Sequence, residues 1–115
     1  PESSRDGGIH RFTWWDHRGT TEWVQYDFER PERVSGVEVY WYDDTGIGYC
    51  RPPKSWRILY REGDQWKRVT GASPCGLDLN RFNKVTFHPV TTTALRIEVQ
   101  LQDGFSAGIL EWKLR

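Results

Sequence analysis

Two stretches concentrate the side chains that could hold a ligand. "RFTWWDHRGTTEWVQYDF", residues 11–28, sets two tryptophans side by side just ahead of Asp16, His17 and Arg18. "YDDTGIGYCRPPK", residues 42–54, brings Tyr42, Asp43, Asp44, Tyr49 and Arg51 into one long connection. Exposed rings suit stacking on a flat ligand, and charged groups beside them supply hydrogen bonds. In a strand, neighbouring side chains point to opposite faces, so Trp14 and Trp15 cannot both enter one core. One of the two must find other work.

Catalysis is a poorer use of these residues. Glycoside hydrolysis needs two carboxylates flanking the scissile bond, whereas Asp43 and Asp44 are adjacent and their side chains diverge. His10, His17 and His88 have no nucleophile at a diagnostic spacing, and the G-x-S-x-G elbow is absent. Cys50 and Cys75 permit a single intramolecular pairing, which the redox compartment decides; two unbridged thiols are the expectation. No CxxC or Cys/His spacing supports zinc. The chain reads as a binding or structural domain rather than an enzyme.

The elements that must position these residues are strands. "WVQYDF" (23–28) puts Val24, Tyr26 and Phe28 on one face, and "RVSGVEVYWY" (33–42) puts Val37, Val39 and Trp41 opposite Glu38, Tyr40 and Tyr42. "SWRILYRE" (55–62), the turn "EGD" and "QWKRVT" (65–70) read as a hairpin. "KVTFHPV" (84–90), "ALRIEVQL" (94–101) and the closing "GILEWKLR" complete the set, with Leu95, Ile97, Val99 and Leu101 on one face and Arg96 on the other. No window has a helical period of useful length. About six to eight short strands with polar turns predict a β-sandwich or barrel. The connection 42–54 exceeds the usual two to five residues of a hairpin loop, which marks it as a candidate site wall.

Composition narrows the partners. Sixteen basic residues balance sixteen acidic ones, which argues against a nucleic-acid or anionic-membrane surface. No apolar run is long enough to span a bilayer. At 115 residues the chain makes one domain. It opens at Pro1 with no signal-peptide pattern, so a processed or excised piece is expected. Seven tryptophans, five tyrosines and five phenylalanines exceed what one small core needs, which leaves some rings for a ligand.

In this order the segments resemble a discoidin domain, the coagulation factor type C fold. "FTWWDHRGTTEWVQYDFERPERVSGVEVYW" is similar to its tryptophan loop followed by a W-hydrophobic-Q-hydrophobic-D-hydrophobic strand. "PPKSWRILYREGDQWKRV", "VTFHPVTTTALRIEVQ" and "GFSAGILEWKL" resemble its later strands. The resemblance is closer to family 32 carbohydrate-binding modules, and closer still to the discoidin-like domains of bacterial glycoside hydrolases, including β-L-arabinofuranosidase relatives. It implies an all-β, galactose-binding-like jelly-roll sandwich of about five strands facing three, with ligand loops at one end.

The same resemblance implies a non-catalytic carbohydrate-binding module in a multidomain polysaccharide-degrading enzyme, secreted, periplasmic or at the surface of a bacterium. The alternative is a structural accessory domain that packs on the catalytic domain. A lipid-binding discoidin role would want apolar loop tips with basic flanks, and these loops are acidic or mixed. Carbohydrate and the parent catalytic domain are thus the expected partners, without nucleic acid or membrane. Phe105, in "DGFSAG", stands where related modules often put a stacking ring. It joins Trp14, Asp16, His17, Arg18, Tyr42, Asp43, Asp44, Tyr49 and Arg51 as the expected ligand set. Alignment to the family's tryptophan step favours Trp15 as the core anchor and Trp14 as the partly exposed ring. "PESSRDGG" is too short for both the family's first strand and its calcium loop, so a missing or shortened first strand is expected. A structural calcium would then rely on Glu111.

Overall fold

The computed structural model describes residues 1, 3–5 and 11–115. Six strands make up its regular structure: β1 Phe12–Thr13, β2 Thr21–Tyr42, β3 Ser55–Glu62, β4 Gln65–Arg68, β5 Asn83–Gln100 and β6 Gly108–Leu114. They join in the order β1-β6-β2-β5-β3-β4, and every pairing is antiparallel. The described residues contain no helix, and the all-β expectation is met.

The separate strands expected at 23–28 and 33–42 are one long strand, as are those at 84–90 and 94–101. Both bend, and so each serves two layers. The first part of β2, from Thr21 to Asp27, pairs with Ala94–Gln100 of β5, whose other side takes β3. Beyond the irregular step between Asp27 and Glu32, the second part of β2 lies between the start of β5 and β6. Pro31 sits inside that step, where its missing N–H spoils no ladder bond. A second shift follows between Val34 and Gly36. A Cβ on Gly36 would stand 2.9 Å from the Val85 carbonyl oxygen, so only glycine lets the strands approach this closely.

Folding the sheet over on itself brings the two layers face to face. Val37, Val39, Trp41, Val85 and Ile109 meet Trp56, Ile58, Leu95, Ile97 and Val99 in one buried cluster. The period-two expectation holds for Val37, Val39, Trp41, Leu95, Ile97 and Val99. The tryptophans divide by burial. Trp14, Trp41 and Trp56 are buried, and each indole N–H donates to a carbonyl: Trp14 to Trp23 at 3.1 Å, Trp41 and Trp56 to Gly76 at 3.1 and 2.9 Å. A buried donor without such a partner would cost about 1–3 kcal/mol. Trp15 and Trp23 remain half-exposed.

A smaller cluster lies on the outer face of the β6–β2 layer. Tyr40, Tyr42, Cys50 and Leu110 pack there with Phe82. The connection after β2 folds back over this face and buries Cys50 beneath it. Cys50 and Cys75 are not bridged.

Candidate functional site

Three connections converge at one end of the sandwich, as the topology of the resembling domains implied. The turn 14–20 is held by Trp14 N–H donating to the Ala107 carbonyl at 3.0 Å and Gly19 N–H to that of Phe105 at 3.2 Å. The connection 43–51 joins the same segment through Arg51 N–H to the Ser106 carbonyl at 3.1 Å and Ser106 N–H to the Tyr49 carbonyl at 2.9 Å. Backbone bonds therefore fix the relative placement of the three loops.

On this base an aromatic surface is exposed. The rings of Trp15 and Tyr49 stack with centroids 5.8 Å apart and planes 15° from parallel. The Arg18 guanidinium lies 4.7 Å from the Trp15 ring centre and 4.2 Å from that of Tyr49. Trp15 is 51% exposed and Ile47, at the loop tip, 82%. Trp15, Ile47, Gly48 and Tyr49 line a depression of about 320 Å³. Beside it, Arg51 lies over the Phe105 ring at 4.7 Å and holds that half-buried side chain against the loops.

The two neighbouring tryptophans exchange the roles that the family alignment favoured. Trp14 is 7% exposed and belongs to the main core, so it cannot serve as a ligand-stacking ring. Short strand β1 pairs Phe12 with Ile109 and Thr13 with Gly108. In that register Phe12 and Trp14 share one side of the strand, their rings in edge contact at 5.1 Å with Phe12 still half-exposed, and Trp15 turns to the other side. Strand alternation was right, and the alignment was one residue out.

The two acids of the connection 43–51 hold its shape. Asp43 is buried, and its Oδ1 accepts the Thr45 N–H at 2.8 Å. Asp44 Oδ1 accepts the Cys50 N–H at 2.7 Å and lies 3.5 Å from the Arg51 guanidinium, while its carbonyl accepts from Ile47 and Gly48. Arg51 also donates to the carbonyls of Gly48 and Cys50 at 3.0 and 2.8 Å. Tyr42 is buried in the outer cluster, where desolvation raises its phenol pKa. Tyr42 and Asp43 are not placed to bond a ligand as free polar groups, whereas Asp44, tied into the loop through Oδ1, also lines the depression beside Trp15 and Tyr49. Tyr42 and Asp43 lie under the loop because β2 runs on through Tyr42.

Asp16 is exposed at the turn. His17 is exposed too, its Nδ1 2.9 Å from Glu22 Oε2. That carboxylate also accepts the Thr20 hydroxyl, and this bond, ahead of His17, lowers the Glu22 pKa. Burial pushes the Cys50 thiol up to about 11 and raises that of Cys75 as well, so neither is a reactive thiolate.

Glu111 is exposed on β6 opposite Tyr40, and among the described residues no three His, Cys, Asp or Glu side chains gather. The Asp6-Gly7-Gly8 stretch, compared above with the family's calcium loop, lies outside the described residues, as does His10.

An antiparallel β-sandwich with its loops gathered at one end is the architecture of the galactose-binding-like folds. The family model of the F5/8 type C domain matches residues 3–112, and the chain belongs to that family. Among solved structures it is similar to a Streptococcus pneumoniae β-galactosidase, BgaA, with a TM-score of 0.82 at 23% identity, covering 97% of this chain and 78% of that one. A pectin-binding carbohydrate-binding module matches with a TM-score of 0.66 at 16% identity, over 97% and 77% of the two chains. Chitosan-binding module 2 of a Paenibacillus sp. IK-5 chitosanase/glucanase, solved with chitotriose, matches at 0.63 and 12%, over 96% and 82%.

Proposed function

We propose that this domain is a non-catalytic carbohydrate-binding module whose site is the loop end around Trp15, Arg18 and Tyr49. The observation that carries the reading is the exposed Trp15–Tyr49 stack with Arg18 over both rings. A pyranose offers an apolar C–H face to such rings and hydroxyls to a guanidinium. Phe105 and Arg51 extend the same surface. The parent would be a polysaccharide-degrading glycoside hydrolase of a bacterium, acting outside the cytoplasm. The sugar-binding neighbours and the β-galactosidase among similar folds favour that parent. The module would raise enzyme concentration on glycan by weak, multivalent attachment. With two rings and few hydrogen bonds, affinity falls on the order of mM to tens of µM, about −4 to −6 kcal/mol.

The rival is an accessory domain that packs on its catalytic partner, and Ile47 favours it. An aliphatic side chain 82% exposed at a loop tip has no hydrogen bond to offer a sugar. Affinity gels cast with soluble polysaccharides separate the two readings. Retardation that disappears in Trp15→Ala and Tyr49→Ala but survives Ile47→Ser supports the sugar site. Retardation unchanged in all three, with weaker adhesion of Ile47→Ser to the catalytic domain, would replace it with docking. Vesicles rich in anionic lipid serve as the control for an apolar tip beside an arginine.

A further inference from the structure

A second group of exposed rings lies along the outer edge of β2, in a depression that shares no lining residue with that of the loop end. Trp23 is 49% exposed and Phe12 44%. Together with Val24, Gln25 and Asp27 they line a shallow depression of about 410 Å³. Another depression, of about 270 Å³ between Thr21, Arg57, Arg68 and Glu98, has no exposed ring, because Trp56 is buried and the Arg57–Glu98 ion pair fills its wall.

The Trp23 ring is fixed in place. The Arg96 guanidinium sits between two indoles, 3.9 Å from the centre of Trp23 and 4.1 Å from that of Trp66. Its Nε donates to Gln25 Oε1 at 2.8 Å, and Gln25 Nε2 donates to Asp27 Oδ1 at 2.6 Å. Trp23, Gln25 and Asp27 alternate along β2 and share its outer face. The row Trp66, Arg96, Trp23 thus clamps one indole face, and the row Arg96, Gln25, Asp27 orients a carboxylate two positions further along the strand. The main chain adds to this edge. Trp23 accepts the Trp14 indole at its carbonyl, so Trp23 and, by alternation, Gln25 point their backbone groups away from β5.

A rigid half-exposed ring, a second ring beside it, and an aligned carboxamide and carboxylate are complementary to one chemistry: a flat apolar face edged with hydroxyls. We infer that the Phe12–Trp23 edge is a second carbohydrate-binding site, taking a pyranose unit with its C–H face on Trp23 and vicinal hydroxyls on Asp27 and Gln25. The free Oδ2 of Asp27 accepting a hydroxyl donor gives the charge-assisted bond that sugar sites use. Two sites on one rigid domain would let a single module engage two glycan segments, raising avidity without tighter individual contacts. The residues are separate from those of the loop end, so either site can fail alone.

The test is a ¹H–¹⁵N titration of the whole domain with galactose, chitotriose and trigalacturonate, each to about 50 mM to reach weak sites. The expected result is saturable movement of the Trp23 indole N–H and the Gln25 carboxamide with at least one probe. That movement should persist in the Trp15→Ala/Tyr49→Ala double variant. Asp27→Asn, which keeps the shape of the side chain, should weaken it about tenfold, the effect of losing one charge-assisted bond. Trp23→Ala should abolish it at Gln25; should that variant unfold, the wild-type and Asp27→Asn titrations still decide. Signals that stay still with all three sugars would overturn the inference. So would movement that requires Trp15 and Tyr49.

Discussion

Trp14 and Trp15 are neighbours in sequence, and alanine at each should give opposite phenotypes. Trp14 is 7% exposed in the main cluster. Truncating a buried Trp typically costs about 3–5 kcal/mol through lost transfer energy and the cavity left behind. The Trp23 carbonyl also loses its 3.1 Å partner, though at an exposed edge water replaces most of that bond. A loss of about 4 kcal/mol is a large part of the roughly 5–15 kcal/mol that holds a domain together. At about 4 °C per kcal/mol for a chain of this size, Tm should fall by about 15 °C.

Trp15→Ala removes one stacked ring and one guanidinium contact, worth about 0.5–1.5 and 0.5–1 kcal/mol. Tm should drop by only about 4–10 °C. Binding should suffer far more, because against a total of about −4 to −6 kcal/mol every 1.4 kcal/mol lost is tenfold in affinity. Thermal denaturation followed by near-ultraviolet circular dichroism, paired with affinity electrophoresis, reads both quantities on the same samples. If Trp14→Ala melts within about 5 °C of the parent while Trp15→Ala loses more than about 10 °C, the two roles are reversed and the loop end is not a ring platform.

Three further outcomes follow from the same geometry. Arg96→Ala should fold, since Arg96 lies outside the core, but with stability lowered by about 2 kcal/mol from two ring contacts and one hydrogen bond, measured by urea titration. Gly48→Ala would bring a Cβ to 2.1 Å from Asp44 Oδ2 and force loop 43–51 out of shape; glycan retardation should vanish with a Tm loss smaller than that of Trp14→Ala, and equal retardation would detach the loop from the site. Cys50, raised to about 11 from 9.0 by burial, should resist iodoacetamide at pH 8 in the folded domain and react only on unfolding. Because the folded thiol is the weaker acid, its contribution to stability is complete below pH 9 and is lost as pH rises through about 11, so the gap between melts of the parent and of Cys50→Ser should be constant below pH 9 and change only above it.

The strands were legible because burial on one face writes itself into every second residue. Val37, Val39 and Trp41, or Leu95, Ile97 and Val99, declare their face without reference to any partner. What the pattern could not carry was continuity. Nothing local says that 23–28 and 33–42 are one bent strand, because the bend at Pro31 looks like a loop when read residue by residue. The same limit governs Trp14 and Trp15. Alternation separates them, but which ring goes inward is set by the pairing of Phe12 with Ile109, a contact across nearly the whole chain. A family alignment displaced by one residue reverses both.

The acidic loop shows why polar residues mislead more than apolar ones do. In "DDTGIGY" the acceptors read as a ligand surface, yet an Asp followed two residues later by a backbone donor is also the signal of a self-bonded turn. Asp43 to Thr45 takes that form at 2.8 Å, and Asp44 reaches further along the loop to the Cys50 N–H at 2.7 Å. Removing both carboxylates would therefore weaken binding whether or not either touches a sugar, so that double substitution cannot separate a sugar site from a docking surface. Asp44→Asn can. An asparagine keeps the Oδ1 acceptor for Cys50 and gives up only the charge facing Arg51. If Asp44 acts solely by shaping the loop, Asn should retain glycan retardation where Ala loses it. If Asn fails as badly as Ala with the melting temperature unchanged, the carboxylate charge itself meets the ligand, and Asp44 belongs in the site after all.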